Sequence, residues 1–381
     1  MKGKTFFILL AAAAVLAVLS YWHLGGGKHT GEVKMGARLF PDLPVNQAAK
    51  VVIAAAGHRV TLVKGEKVWQ VKARSGYPAD FGELRDMVLK LSKLKIGRSF
   101  TGTPESLARL SLLPPSASKA AGQGTQITLS DAAGKVLADV ILGRTRQSED
   151  GGIGGQYLKK AGADTVYLVD RNFRFLKTSP AQWLKKEIIN IKADDVAAVT
   201  CFRGDSATPA YTLSRPKRGA AAQLTPVPKG RTADMAKIDQ VLEALSPLNL
   251  DDVKASDAQP PTVGKDGYRL VYRLYDGRQI TIYPLHEGKD DYSVRVAASA
   301  AAVEASTPAA KTSEKSVEGG QTKKGKGETT ASPPPPTAQQ LNAEWGPWVF
   351  SIKKWQYDSF ITRPAALLKE LPGQAKAAGK K

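Results

Sequence analysis

Cysteine is nearly absent. The chain has one, Cys201, so no intramolecular disulfide can form and nothing in the fold depends on oxidation. It lies in the run VAAVTCF, which suits a small core hydrophobe. Histidine is scarce too: His23, His29, His58 and His286 are the full set, and none sits in a cysteine-hydrolase context. The motifs HExxH, GxSxG, CxxC and SxxK are missing, which removes the sequence-readable hydrolase and redox classes. Ser75, in RSGYP, has no neighbouring base. Acid is under-represented, with 35 Asp and Glu against 55 Lys and Arg and a net charge of +20. Aromatics amount to 7 % and are not interleaved with arginine, so an RNA-binding module is not expected.

What is present begins with an uncharged run, FFILLAAAAVLAVLSYW, from Phe6 to Trp22, behind Lys2 and Lys4. Its length is at the short end for a spanning helix, and Tyr21 and Trp22 fall where an aromatic belt would sit. Bulky residues occupy the place of a small-residue cleavage site, so residues 1–22 are expected to be an uncleaved signal anchor. The positive-inside rule favours the N-terminus in the cytoplasm only slightly, because Lys28, Lys34 and Arg38 follow the run. The expected location is therefore the inner membrane, single-pass, with the bulk of the chain periplasmic. Residues 23–47 are glycine- and proline-bearing and serve as a tether.

The segments ADFGELRDMVLKLSKLKI (79–96) and ADMAKIDQVLEALSPLNL (233–250) carry apolar residues at matching places. Leu84, Met87, Val88, Leu91 and Leu94 lie on one helical face, with Asp80 and Glu83 placed for a capping box. Ile238, Val241, Leu242, Leu245 and Leu248 repeat that spacing. Upstream, HRVTLVK answers AYTLSRP; downstream, TQITLSDAAGKVLADVIL answers YRLVYRLYDGRQITIYPL, two strands about a turn in each. Each half closes on Pro-Ala, in SPAQWLKKEI and RPAALLKEL, read as helices. The expected fold is α+β: two similar repeats of mostly antiparallel sheet with packing helices, at 48–192 and 193–371, plus the one N-terminal transmembrane helix. A stretch at 298–342, rich in Ala, Ser, Lys, Gly and Pro, is expected to be a disordered insert, and 372–381 a basic tail. Much of the positive charge is expected in Lys311–Lys326 and Lys376–Lys381.

The series LFPDLPVNQAAKVVI, VTLVKGEKVWQV, ESLARLSLLPPS and GTQITLSDAAGKVLADVILGR resembles the bacterial domain-of-unknown-function 4340 family. That resemblance implies a membrane-anchored partner of gliding-motility-type ABC transporter components, and it implies no catalytic residue.

No catalytic, cofactor-binding or metal-ligating set is expected. GGIGGQ (151–156) lies between strands and suits a hairpin tip, not a phosphate loop. Asp194-Asp195, Asp251-Asp252 and Asp290-Asp291 lack calcium-loop spacing and suit turns and caps. Trp345 and Trp348, in EWGPWVF, are the candidate contacts for a ligand or partner, with core packing the plainer alternative. The expected function is a non-enzymatic accessory or scaffold subunit of a membrane assembly. The alternative is a module binding an anionic envelope polymer or lipid, suggested by the charge. A hydrolase would need a Ser or Asp set beside His58 or His286 in a pocket.

Overall fold

The computed structural model describes residues 34–118, 120–147, 153–257, 263–300 and 335–370. The expected signal anchor lies outside the described residues, as does the centre of the expected insert. Among the described residues no helix is long and apolar enough to cross a membrane.

In chain order the elements are β1 (Lys50–Ala55), β2 (His58–Lys64), β3 (Trp69–Val71), β4 (Tyr77–Pro78), α1 (Phe81–Ser92), β5 (Ile96–Thr101), α2 (Pro104–Arg109), β6 (Thr125–Ser130), β7 (Val136–Gln147), β8 (Ile153–Lys160) and β9 (Thr165–Val169). There follow β10 (Glu187–Ile189), β11 (Val196–Arg203), β12 (Tyr211–Ser214), β13 (Gln223–Thr225), β14 (Arg231–Ala233), α3 (Met235–Leu242), β15 (Leu248–Asn249), β16 (Asp252–Ala255), β17 (Tyr268–Leu274), β18 (Arg278–His286), β19 (Tyr292–Ala300), α4 (Ala338–Trp345), β20 (Trp348–Ser351), α5 (Lys354–Phe360) and β21 (Leu368–Glu370). Contacts divide them into two compact units, Met1–Lys67 with Phe81–Ser179, and Val68–Asp80 with Pro180–Lys381. The sequence expectation put the boundary at 192/193; in the structure β3, β4 and residues 180–192 group with the second unit.

The first unit is built on an antiparallel sheet in the order β2-β1-β6-β7-β8-β9-β5. Its strands alternate as half-buried strands must: in HRVTLVK the buried residues are Val60 and Leu62, and in TQITLS they include Ile127 and Leu129. The β6–β7 connection turns at Gly134 (φ 85°), while the Asp131 carboxylate accepts the Lys135 N–H at 2.9 Å. Helix α1 buries Leu84, Met87, Val88 and Leu91, the face read from the sequence. Helix α2 is short and held by a reciprocal cap between Thr103 and Ser106. Gly154 and Gly155 lie inside β8 instead of at a hairpin tip. A Cβ on Gly155 would stand 1.8 Å from the Val169 carbonyl oxygen, so the close approach of β9 explains the glycine.

The second unit's main sheet runs β13-β12-β11-β17-β18-β19-β20-β16, again antiparallel. The same order, hairpin first and post-helix strand at the far edge, thus occurs in both units. The registers agree as well. Val51 faces Leu62 and Leu129, while Val199 faces Leu213 and Tyr272. Ile53 faces Val60 and Ile127, while Cys201 faces Tyr211 and Leu270. Arg98 and Ser99 of β5 pair with Leu168 and Tyr167; Asp252 and Val253 of β16, 154 positions on, pair with Ser351 and Phe350. Ile238, Val241, Leu242, Leu245 and Leu248 are all buried, as their counterparts are. Tyr272, on β17, donates its hydroxyl to the Val241 carbonyl at 3.0 Å, which fixes α3 against the sheet.

Two expected helices are something else. Pro180–Trp183 and Pro364–Leu367 are single 3-10 turns that run on into short strands, β10 and β21. Each turn accepts a backbone N–H at its end: Asp80 N–H to the Trp183 carbonyl and Asp234 N–H to the Leu367 carbonyl, both 2.8 Å. The ends of the expected insert also belong to the fold. Ala298 to Ala300 finish β19, and Ala338 to Asn342 form most of α4. Asn342 clasps the strand, donating to the Ala298 carbonyl and accepting its N–H, each at 2.7 Å.

Candidate functional site: an aromatic cavity in the second unit

Trp345 and Trp348 converge on one cavity. Helix α4 is set at its N-terminus by a cap between Thr337 and Gln340, and it ends by burying Trp345. The chain then turns through Gly346 and Pro347 into β20, whose first residue is Trp348. The opposing wall is the β3–β4 hairpin. It reverses through Ser75 (φ 52°) and Gly76 (φ 79°), which brings Tyr77 edge-on to Trp348, with ring centroids 5.1 Å apart. Tyr77 also meets Phe350 edge-on at 6.2 Å. Arg74 secures the hairpin with a two-pronged ion pair to Asp252, at 2.5 and 2.7 Å. The Lys185 N–H donates to the Pro78 carbonyl at 3.0 Å.

The space enclosed is about 230 Å³. Aromatic rings form its walls; Gln70, Lys185, Glu187 and Glu344 supply polar lining, and Lys185 pairs with Glu344 at 3.1 Å. Two features define its chemistry. Trp345 is 6 % exposed and its indole N–H has no acceptor, an unpaired buried donor. Burial, with the nearby Glu344 charge, pushes the Tyr77 phenol well above its ordinary value, so it stays neutral. A cavity of this size is below that of a drug-sized pocket and fits one side chain or a comparably small group. It contains no nucleophile–base pair.

A larger hollow, about 740 Å³, lies between α3 and α5. Trp355, 68 % exposed, stands on it, whereas Trp183 is buried.

The remaining sequence candidates are placed as follows. Cys201 is buried and its thiol is pushed up to about 11 by burial, which leaves it protonated and unreactive at neutral pH. His58 opens β2 at a hairpin, and His286 stacks on Tyr292 at 4.9 Å. Asp194 and Asp195 meet Arg215 and Arg218; Asp251 meets Lys353, and Asp291 meets Lys254. Among the described residues no group of three or more His, Cys, Asp or Glu could hold a metal ion. The positive charge is not where the sequence reading put it. Of the 55 Lys and Arg, 12 lie outside the described residues, and of the 35 Asp and Glu, 7 do; the described residues keep a surplus of 15. Lysines catch the eye in 301–334, but glutamates nearly balance them. The hairpin wall of the cavity escaped the sequence reading, since nothing local ties Tyr77 to residues some 270 positions away; the Ser75-Gly76 break was its one visible trace.

An antiparallel, sheet-rich α+β chain with a recess lined by Tyr77, Trp345 and Trp348 is the class that fold and site define. Over residues 69–266 the chain matches the family described as a domain of unknown function, DUF4340, and it belongs to that family. No curated protein and no solved structure matches it.

Proposed function

We propose that the chain is a non-enzymatic accessory subunit of a membrane assembly, held at the inner membrane by Phe6 to Trp22 with its folded units on the periplasmic side. The observation that carries this reading is the cavity bordered by Trp345, Trp348 and Tyr77: side-chain-sized and lined by three aromatic residues. Such a recess suits an anchoring side chain of a partner better than it suits a reaction. The family resemblance makes ABC transporter components the first partners to look for. The test is affinity capture of the full-length chain in mild detergent beside an Ala343→Arg variant, whose new side chain would fill the mouth of the cavity. A transporter component retained by the first and lost from the second is expected. Recovery of no membrane protein, or equal recovery by both, would sink the proposal.

The chain also reads as a duplication, its two units descending from one. The shared strand order, the matching cross-strand pairs and the constant 154-position displacement from Leu84/Ile238 through Ser99/Val253 support it. An experimental structure in which those pairs fell out of step would overturn it.

The surplus of 15 positive charges among the described residues favours a second reading, a module that binds anionic lipid or envelope polymer. Binding of this kind must weaken as salt rises.

A further inference from the structure

The first unit bears a row of side chains that packing does not explain. Along the outer side of α1, Phe81, Arg85 and Leu89 follow one another at four-residue spacing, and Lys93 continues the row past the helix end. Phe81 is 58 % exposed and Leu89 is 36 % exposed, while Leu84 and Leu91 on the inner side are buried. A second segment borders the outer side of the helix on its other flank, at Glu83 and Lys90. Residues 170–177, DRNFRFLK, leave β9 and are tied to the helix twice: Lys177 pairs with Glu83 at 3.2 Å, and the Lys90 ammonium lies 5.1 Å from the centre of the Phe173 ring. Phe175, two residues from that buried ring, is 81 % exposed and covered only by the Arg174 guanidinium, 4.4 Å from its centre.

The chain's first described residues enter at the same edge. The Gly36 N–H donates to the Ile96 carbonyl at 2.7 Å, and the Leu39 N–H to the Leu94 carbonyl at 2.9 Å. Asp170 holds both sides of Lys95, accepting its N–H at 2.8 Å and donating to its carbonyl at 3.1 Å. Residues 34–39, the end of α1 and the start of the 170–177 segment are thus contiguous. Met35, 79 % exposed, adds another apolar side chain where the chain arrives. Charge on this face is lopsided. Glu83, Asp86 and Asp170 each pair with one cation, and Lys34, Lys93 and Arg174 have no carboxylate among the described ion pairs.

We infer that this face of the first unit docks on the surface of an anionic phospholipid bilayer. Phe81, Leu89, Phe175 and Met35 enter the headgroup–acyl boundary, and the basic residues between them meet lipid phosphates. Exposed aromatics mixed with cations are the signature of an interfacial surface, whereas a partner protein's interface would be depleted of charge at its centre. The docking rests on the reading of Phe6 to Trp22 as a membrane anchor. From Trp22 to Lys34 the chain can reach at most about 40 Å, so an anchored chain is delivered to the bilayer by this edge.

The experiment uses the full chain in vesicles of phosphatidylcholine alone or with about 30 % phosphatidylglycerol. Cys201 is buried, so a Phe175→Cys variant takes an environment-sensitive fluorophore at one position. Resistance of the inserted chain to alkaline extraction reports the anchor separately: extraction of the chain would defeat the anchor reading, and the docking with it. With the chain retained, the probe is expected to shift to the blue in anionic vesicles and to return towards its aqueous emission at high salt. The same label on Val136→Cys is expected to report water throughout. Reversing Arg171 and Arg174 to Glu in the labelled chain is expected to lower the ratio of docked to undocked units at least roughly 30-fold, from about fivefold per basic residue near such a surface. A probe that reports water in retained chains, a shift of equal size at position 136, or a shift indifferent to salt and to the charge reversal would each overturn the inference. A Phe81→Cys label gives a second, independent reading.

Discussion

Tyr211 shows what a single residue can do to the second unit's core. Its hydroxyl is buried, and its one partner is the weakly bonding Cys201 thiol across the β11–β12 pair. The corresponding pair in the first unit is Ile53 with Val60, wholly apolar. A buried hydroxyl with so weak a partner keeps a desolvation cost that a phenyl ring does not carry. Tyr211→Phe is therefore expected to raise the stability of the second unit by about 1 kcal/mol, read as a higher denaturant midpoint with an unchanged slope. Asp252 has the opposite character. Burial alone would push its carboxyl up, but the Arg74 guanidinium, the Val253 N–H and the Arg74 and Lys186 charges outweigh burial and hold it below its ordinary value. A carboxyl lowered in the folded state stabilises above the unfolded value near 4, and that contribution disappears as pH falls through the folded value. The pair is partly solvent-screened, with side-chain exposures of 27 % and 36 %. Asp252→Asn is thus expected to cost up to about 1 kcal/mol at pH 7 and progressively less as pH falls below the unfolded value. A mutant deficit that persists unchanged in acid would refute that account.

Helices α1 and α3 were legible in the sequence because their apolar spacing is local: five positions in each, all buried. The hairpins were legible for the same reason, Asp-Gly and Asp-Ala-Ala-Gly fixing turns between alternating strands. What could not be read was partnership across distance. Pro-Ala followed by Leu and Lys carries helical propensity, yet residues 180–183 and 364–367 stop after one turn. Their following residues are claimed by strands elsewhere in the chain, β15 and β14. Composition failed at the ends of the 298–342 stretch, 298–300 and 338–342, because the pairing of Ala298 with Asn342 depends on a contact no window of sequence contains. Trp345 and Trp348 were singled out as a pair, but that both line one cavity with Tyr77 was not legible. At this scale the equivalence of α1 and α3 makes a matched prediction. Leu91→Ala and Leu245→Ala, both at fully buried positions, are each expected to cost about 2–5 kcal/mol, the first in the unit holding α1 and the second in the unit holding α3. Hydrogen exchange resolved by unit would read them, and a loss shared out the other way would contradict the assignment.

For the molecule as a whole, both the proposed duplication and the charge bear on residues 301–334. The family match ends at residue 266, before that stretch, and the first unit carries nothing like it between β8 and β9. Its removal changes the net charge by only one, since five Lys stand against four Glu, so the basic field of the described residues survives. Its two ends are already joined, because Asn342 holds Ala298 through two 2.7 Å hydrogen bonds. Replacing 301–334 by about eight Gly and Ser residues shortens the closed loop roughly fourfold, worth about 1 kcal/mol in closure entropy. The shortened chain is therefore expected to unfold at a slightly higher temperature, to retain the same membrane partner, and to dock on anionic vesicles as before. Calorimetry and the labelled Phe175→Cys chain measure the two ends of that claim. Lost stability would mean that the stretch packs on the second unit. Lost partner retention with stability intact would move the partner's contact from the tryptophan cavity to the insert.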